Sequence, residues 1–178
     1  MRVLVTGNPN KDSLAKGIKN SLDGYNVTFI SQSNGWSYTD QSTIADYCID
    51  YDIFINCSKY FQLNTLDTVY RTWDSNNKSS LIINVGSTST FWNMTPVSRV
   101  WQEKRVLEEK SKQLSYRYVI GESVVRSTYI AFGRLGKQEW RDQGVIGIDL
   151  DIAGGVIKNI IDLPITYNMQ YISMDAYD

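Results

Sequence analysis

The chain has 178 residues, with 18 Lys and Arg against 19 Asp and Glu, a formal net charge of -1 and an apolar share of 42%. That length serves one well-buried core, and the composition is that of a globular chain rather than a disordered one. No basic run is present, so a nucleic-acid surface built on phosphate contacts is not expected. Histidine is absent altogether, which excludes Ser-His-Asp and Cys-His catalysis. It also leaves metal ligation to carboxylates and to Cys48 and Cys57, whose spacing does not suit a metal, and no metal site is expected. Both cysteines sit in apolar stretches and read as buried free thiols. No apolar run approaches the roughly 20 residues that span a bilayer. The opening residues turn polar too quickly for a secretory signal. A cytoplasmic protein is therefore expected, with the Asn-x-Ser/Thr matches at Asn26, Asn77 and Asn93 as chance.

In chain order, Arg2 to Val5 reads as a buried strand. A helix from about Ser13 to Leu22 follows, with Leu14, Ile18 and Leu22 on one face and Asp23-Gly24 as its stop. Val27 to Ile30 is a second strand, residues 44–49 a brief helix, and Asp52 to Asn56 a third strand. A helix over Leu63 to Trp73 leads to a strand over Leu81 to Val85, which runs into Gly86-Ser87-Thr88-Ser89. Val97 to Leu114 carries the longest helical pattern. Residues 118–129 hold a turn and one or two strand segments, Val124 to Ala131 foremost. Asp151 to Asp162 is a helix before Pro164, and Gln170 to Met174 a closing strand. Strands apolar throughout are covered on both faces, and their alternation with helices predicts a doubly wound parallel α/β sheet in three αβα layers. One Rossmann-like domain over residues 1–178 is expected.

In such sheets ligands bind beyond the carboxyl ends of the strands. The first strand runs into Thr6-Gly7-Asn8-Pro9-Asn10-Lys11-Asp12-Ser13, and a Thr-Gly there resembles the TGxxxGxG motif of the short-chain dehydrogenase/reductase family. Only its first glycine survives, with Lys11 and Ser13 where the others would stand. A tight turn capped by Asp12 or Ser13 is the other reading of the same residues. Three further segments are similar to the family in order along the chain. Residues 52–58 match its Asp-x-x-x-Asn strand end through Asn56. Residues 81–87 match the strand that carries its catalytic serine, which places Ser87 there. Residues 151–153 and 171–175 match its last helix and strand. The family's substrate loop would fall around residues 133–147, which is brief here.

The resemblance implies a dinucleotide held by Gly7, Asn8, Lys11, Ser13, Ser31, Ser33, Asn56 and Lys104. Ser31-Gln32-Ser33 ends the second strand without a carboxylate, which favours NADP over NAD. The family's Tyr-x-x-x-Lys falls on Val100 and Lys104. Ser87 and Lys104 are the candidate catalytic residues, and the proton donor's position holds a valine. Tyr38 or Tyr60 is the substitute to look for. On the residues alone, Lys104 reads first as a solvated helix charge paired with Glu108, ahead of cofactor contact, and Ser87 reads equally as a loop cap. Trp73, Trp92 and Trp101 read as core or interface aromatics. Two functions are expected: an NAD(P)-dependent oxidoreductase acting on a small molecule, or a catalytically silent nucleotide-binding or scaffolding relative. Dimers of the family use the helices corresponding to 63–73 and 97–114, so a homodimer or homotetramer is implied, with Tyr70, Trp73 and Trp101 as anchors.

Overall fold

The computed structural model describes residues 1–88 and 99–176. Ser89, Trp92, Asn93 and the predicted helix start at Val97 lie outside them. Among the described residues six strands form one parallel sheet: β1 (Arg2–Thr6), β2 (Asn26–Ile30), β3 (Ile53–Asn56), β4 (Ser80–Ser87), β5 (Val125–Phe132) and β6 (Tyr171–Met174), in the order β2-β1-β3-β4-β5-β6. The helices are α1 (Leu14–Ser21), α2 (Gln41–Cys48), α3 (Gln62–Ser75), α4 (Arg99–Val119), the single turn α5 (Gln138–Arg141) and α6 (Leu150–Ile161).

Alternation along each strand explains why the runs are apolar throughout. Val3, Val5, Ile53, Ile55, Leu81 and Ile83 point to the face covered by α1 and α6. Leu4, Phe54, Ile82 and Tyr129 point to the face covered by α2, α3 and α4. Successive side chains leave a strand on opposite sides, so a strand buried on both has no polar positions to spare. The sheet is therefore the doubly wound, three-layer α/β sandwich that the pattern predicts.

Strand order reverses at β1 and β3, which are hydrogen-bonded neighbours with Thr6 beside Asn56. Chain from β1 leaves toward one edge over α1's face, and chain from β3 leaves toward the other edge over α3's face. Connections that step in opposite directions on opposite faces share one hand, the right-handed one of parallel sheets. The β5-to-β6 connection is the exception: it steps the same way as β3 to β4, yet α6 lies on the α1 face. Its hand is thus opposite. Residues 133–149 supply the length for this path, and a parallel bridge between Leu135 and Ile148 braces it.

Helix α1 meets α6 at backbone distance. A Cβ on Gly17 would fall 1.8 Å from the Leu150 carbonyl oxygen, and one on Gly154 would fall 2.3 Å from that of Gly17.

Two sequence expectations are corrected here. Helix α4 continues to Val119 rather than stopping at Leu114. Its end is Gly121 at φ 76, where the Glu122 N–H reaches the Arg117 carbonyl (2.9 Å) and the Gly121 N–H that of Tyr118 (3.1 Å). This is the glycine-closed helix end in which the left-handed residue ties off two carbonyls. Tyr70 and Trp73 are core residues rather than interface anchors: both are buried, and the Trp73 indole N–H donates to the Cys48 carbonyl (3.0 Å). Trp101 is half-buried on α4 beneath the Arg105 guanidinium, 5.5 Å from the ring centre.

Candidate functional site

The switch point opens into a cleft of about 530 Å³ beyond the carboxyl edge of the sheet. Its wall carries residues from the loops after β1, β2, β3 and β5 and from the end of β4, because parallel register brings all those strand ends to one side. Gly7, Asn8, Lys11, Ser13, Ser31, Ser33 and Lys104 all line it. Thr6 organises the floor. Its buried hydroxyl accepts from the N–H groups of Cys57 (2.9 Å) and Ser58 (3.0 Å), tying the end of β3 to the end of β1. Gly7 follows at φ 145, and a Cβ there would fall 2.9 Å from that of Ala15. The glycine is required by backbone angle and by close approach of α1 together.

Ser13 occupies the N-cap position of α1 but makes no side-chain cap bond; its hydroxyl turns back to the Asn8 carbonyl (3.1 Å). The first turn of α1, with Leu14 and Ala15 on the cleft wall, therefore offers its leading amides to that space without a competing side chain. Across the cleft mouth, Asn8 Nδ2 donates to Ser33 Oγ (2.8 Å), which lies 2.8 Å from Ser31 Oγ. The loops after β1 and β2 are thus joined by small hydroxyls.

Charge separates this cleft from the rest of the surface. Lys11, Lys59, Lys104 and Lys137 line it, and among the described residues no carboxylate does. Lys137 has an exposed partner in Glu139 at 3.8 Å, and Lys59 stands over the Tyr60 ring at 5.1 Å. In a protein of net charge -1, this clustering gives the cleft a positive potential suited to an anion. The lysines after β3 and β5 escaped sequence reading, although a lysine just past a strand's carboxyl end was the available signal.

Lys104 is the deepest of the four. It points inward rather than along the helix surface; Glu108, its alternative partner, pairs with Lys112 at 2.7 Å. Its ammonium donates to Gln62 Oε1, the Val85 carbonyl (2.9 Å) and the Ser58 carbonyl (3.4 Å). Burial pulls Lys104 down to about 8, opposed by Cys57 and Glu103 nearby. Cys57 is half-buried at the cleft, with its thiol donating to the Thr6 carbonyl (2.7 Å), and burial pushes it up to about 12.

These shifts set opposite slopes on stability. Lys104 ordinarily titrates near 10.5. Between 8 and 10.5 the unfolded chain holds a proton that the folded chain has released, so stability rises with pH across that window. Cys48 and Cys57, raised from 9 to about 11 and about 12, retain protons in the fold above pH 9 and make stability fall there, joined above pH 10 by Tyr38. Thermal melts are expected to show a higher Tm at pH 9 than at pH 7.5, and Lys104→Met should flatten that rise.

Two expected site residues lie off the wall. Asn56 is fully buried, its Nδ2 donating to the Gln62 carbonyl (2.9 Å) and Asn84 Oδ1 (3.1 Å) while its Oδ1 accepts from Thr65 (3.2 Å). Its side chain binds β3 to β4 and α3 beneath the floor, so direct cofactor contact is not its place. Ser87 ends β4 one residue past Gly86, which does line the cleft. Val100 lies one helical turn before Lys104, in the first turn of α4. Tyr38 and Tyr60 both reach the cleft. The Tyr38 hydroxyl is committed to the Ile30 carbonyl (3.0 Å), and burial pushes it up to about 12, whereas Tyr60 is exposed.

Fold and cleft together define a Rossmann-type sheet with a cationic crevice at its switch point. No protein-family model and no curated protein sequence matches the chain. Solved structures do. A short-chain dehydrogenase from Bacillus anthracis is 15% identical, with a TM-score of 0.76 over 98% of this chain and 94% of its own. A short-chain dehydrogenase from Burkholderia cenocepacia in complex with NADP gives 0.73 at 15% identity, over 98% and 88%. One from Leptospira borgpetersenii with bound NAD+ gives 0.71 at 18%, over 98% and 91%. The chain has the short-chain dehydrogenase/reductase fold. Among the described residues no helix is long and apolar enough to cross a membrane, and no group of three or more His, Cys, Asp or Glu gathers as a metal site.

Proposed function

We propose that the chain binds a nicotinamide dinucleotide in this cleft, NADP in preference to NAD, as an oxidoreductase-type protein whose standard proton relay is incomplete. The carrying observation is the cleft itself: a switch-point crevice lined by Gly7, the leading turn of α1 and four lysines without a carboxylate. The residues fit such a ligand. Gly7 and the α1 amides suit a pyrophosphate, Ser31 and Ser33 with Lys11 suit a ribose 2′-phosphate, and Lys104 suits ribose hydroxyls deeper in. When bound, the dinucleotide supplies or accepts a hydride.

The chain's own part in a carbonyl reduction would be to orient the carbonyl and to deliver a proton. Ser87 is the candidate for the first task. For the second, Val100 stands at the family's tyrosine position, and an isopropyl group carries no transferable proton. The engaged hydroxyl of Tyr38 is a poor substitute. Binding is therefore the retained function, and standard turnover is slow or absent. The absence of a donor at Val100 equally favours a second reading, a silent nucleotide-binding or scaffolding homodimer, for which α4 offers the exposed Val106 and Tyr116.

Intrinsic tryptophan fluorescence tests this. NADPH is expected to bind at least about tenfold more tightly than NADH, and Ser33→Asp should erase that preference through repulsion of the 2′-phosphate. Absence of NADPH binding at millimolar concentration overturns the proposal. Rapid turnover on a panel of carbonyl compounds overturns the incomplete relay, and sedimentation reports whether the scaffolding dimer exists.

A further inference from the structure

Gln62 opens α3 immediately after Phe61, whose φ of 62 is left-handed. The residue is fully buried, and every polar atom it owns is engaged. Its backbone N–H donates to Glu103 Oε1 (2.7 Å) and its carbonyl accepts from Asn56 Nδ2 (2.9 Å). Its side-chain Nε2 donates to the carbonyls of Asn56 (2.6 Å) and Val85 (3.0 Å). Those two carbonyls fix which way the amide faces, because a flipped amide would set its oxygen against two acceptors. Only Oε1 remains, and it meets the Lys104 ammonium.

We propose that Gln62 is the positioning residue of the cleft, holding Lys104 toward the ligand through a partner that is neutral and therefore leaves the lysine's charge uncancelled. Three acceptors face the ammonium: Gln62 Oε1 and the Val85 carbonyl (2.9 Å) at close range, and the Ser58 carbonyl at 3.4 Å, the long contact that a ligand oxygen would replace. None of the three carries a charge. A carboxylate in the same place would form a buried ion pair and withdraw the cation from any anionic ligand. Other groups facing Lys104 act less directly: the Cys57 thiol from the loop after β3, Glu103 beside it on α4, and the Tyr129 hydroxyl of β5, which donates to the Lys104 carbonyl at 3.3 Å. Tyr129 also fills the space behind Gly86, where a Cβ would fall 1.7 Å from the hydroxyl oxygen, and so seats α4 against the sheet.

This inference rests on the reading of Lys104 as a ligand-facing cation, and the test separates the two. Trace acetylation of the full chain with acetic anhydride from pH 6 to 11, read at Lys104 by mass spectrometry, follows that amine without any dinucleotide. In the native protein the midpoint is expected near 8. Gln62→Glu should raise it by about one unit or more, and slow labelling at pH 8 about fivefold or more. NADPH affinity should fall at least about tenfold in the same variant. A folded Gln62→Glu protein whose Lys104 keeps the native midpoint overturns the proposal. Should that variant fail to fold, Gln62→Asn, an amide too short to reach, decides instead: Lys104 labelling is expected to rise several-fold, and an unchanged rate is the overturning result. If native protein binds no NADPH, the proposed function fails, while the labelling result still judges Gln62.

Discussion

Gly154→Ala is expected to lower stability by about 4 kcal/mol, whereas the same change at the adjacent Gly155 should be neutral or stabilising by up to about 1 kcal/mol. Both glycines sit in α6 and pay the same helix-propensity cost, so propensity alone forecasts a gain at each. Geometry reverses the sign at one of them. A Cβ on Gly154 meets the Gly17 carbonyl oxygen at 2.3 Å and Ser21 Oγ at 2.5 Å, while one on Gly155 meets nothing within 4 Å. A methyl cannot displace backbone cheaply, so α6 must move from α1 and open the interface holding Ile18, Ala153 and Ile157. Gly17→Ala, with 1.8 Å to the Leu150 oxygen, should behave like Gly154→Ala. Thermal and urea unfolding measure all three. For a chain of this length 4 kcal/mol corresponds to roughly 10 °C in Tm. Equal effects at Gly154 and Gly155 would mean that α1 and α6 do not cross at backbone distance.

Lys104→Met is expected to weaken NADPH binding roughly 30-fold to 150-fold while the chain remains folded. A charge-assisted bond to a ligand in a partly dry cleft contributes about 2 to 3 kcal/mol, which converts to that range. Lys59→Met and Lys137→Met, at the solvent-facing rim, should each cost less than about tenfold, and their effect should fade with added salt. Fluorescence titration at low and high ionic strength distinguishes them. Equal losses at Lys104 and at the rim would indicate a diffuse cationic surface in place of a seated ligand.

Much of the architecture could be read from residue pattern. Runs such as residues 3–5, 53–55 and 81–83 are apolar at consecutive positions, and a strand tolerates that only when covered on both faces. Helix α1 announced itself by Leu14, Ile18 and Leu22. The end of α4 was missed because Tyr116 to Val119 resemble strand residues, although Gly121 carried the local signal for a helix stop. Tyr70 and Trp73 had the composition of interface anchors; only the path of α3 over the sheet showed their rings turned inward.

The site was legible in part. Gly7, Ser31 and Ser33 follow strands and necessarily gather at one sheet edge, so local sequence sufficed to place them. Lys104 had two readings, with the surface pair ahead of the cleft cation, since helical spacing to Glu108 is the local signal. Its direction is set by acceptors 19, 42 and 46 residues away in the chain. Gln62 left no trace at all, because a glutamine at a helix start has no distinctive neighbours and its partners come from β3, β4 and α4. Sequence by itself determined the layers, the strand direction and the edge at which ligands collect, since these follow from short-range periodicity and from the geometry shared by all parallel strands. Tertiary structure alone decided which lysine turns inward, which amide holds it, and on which face the last crossover runs. Those outcomes depend on contacts between segments distant in the chain, and the energy of such contacts is not encoded in any local window.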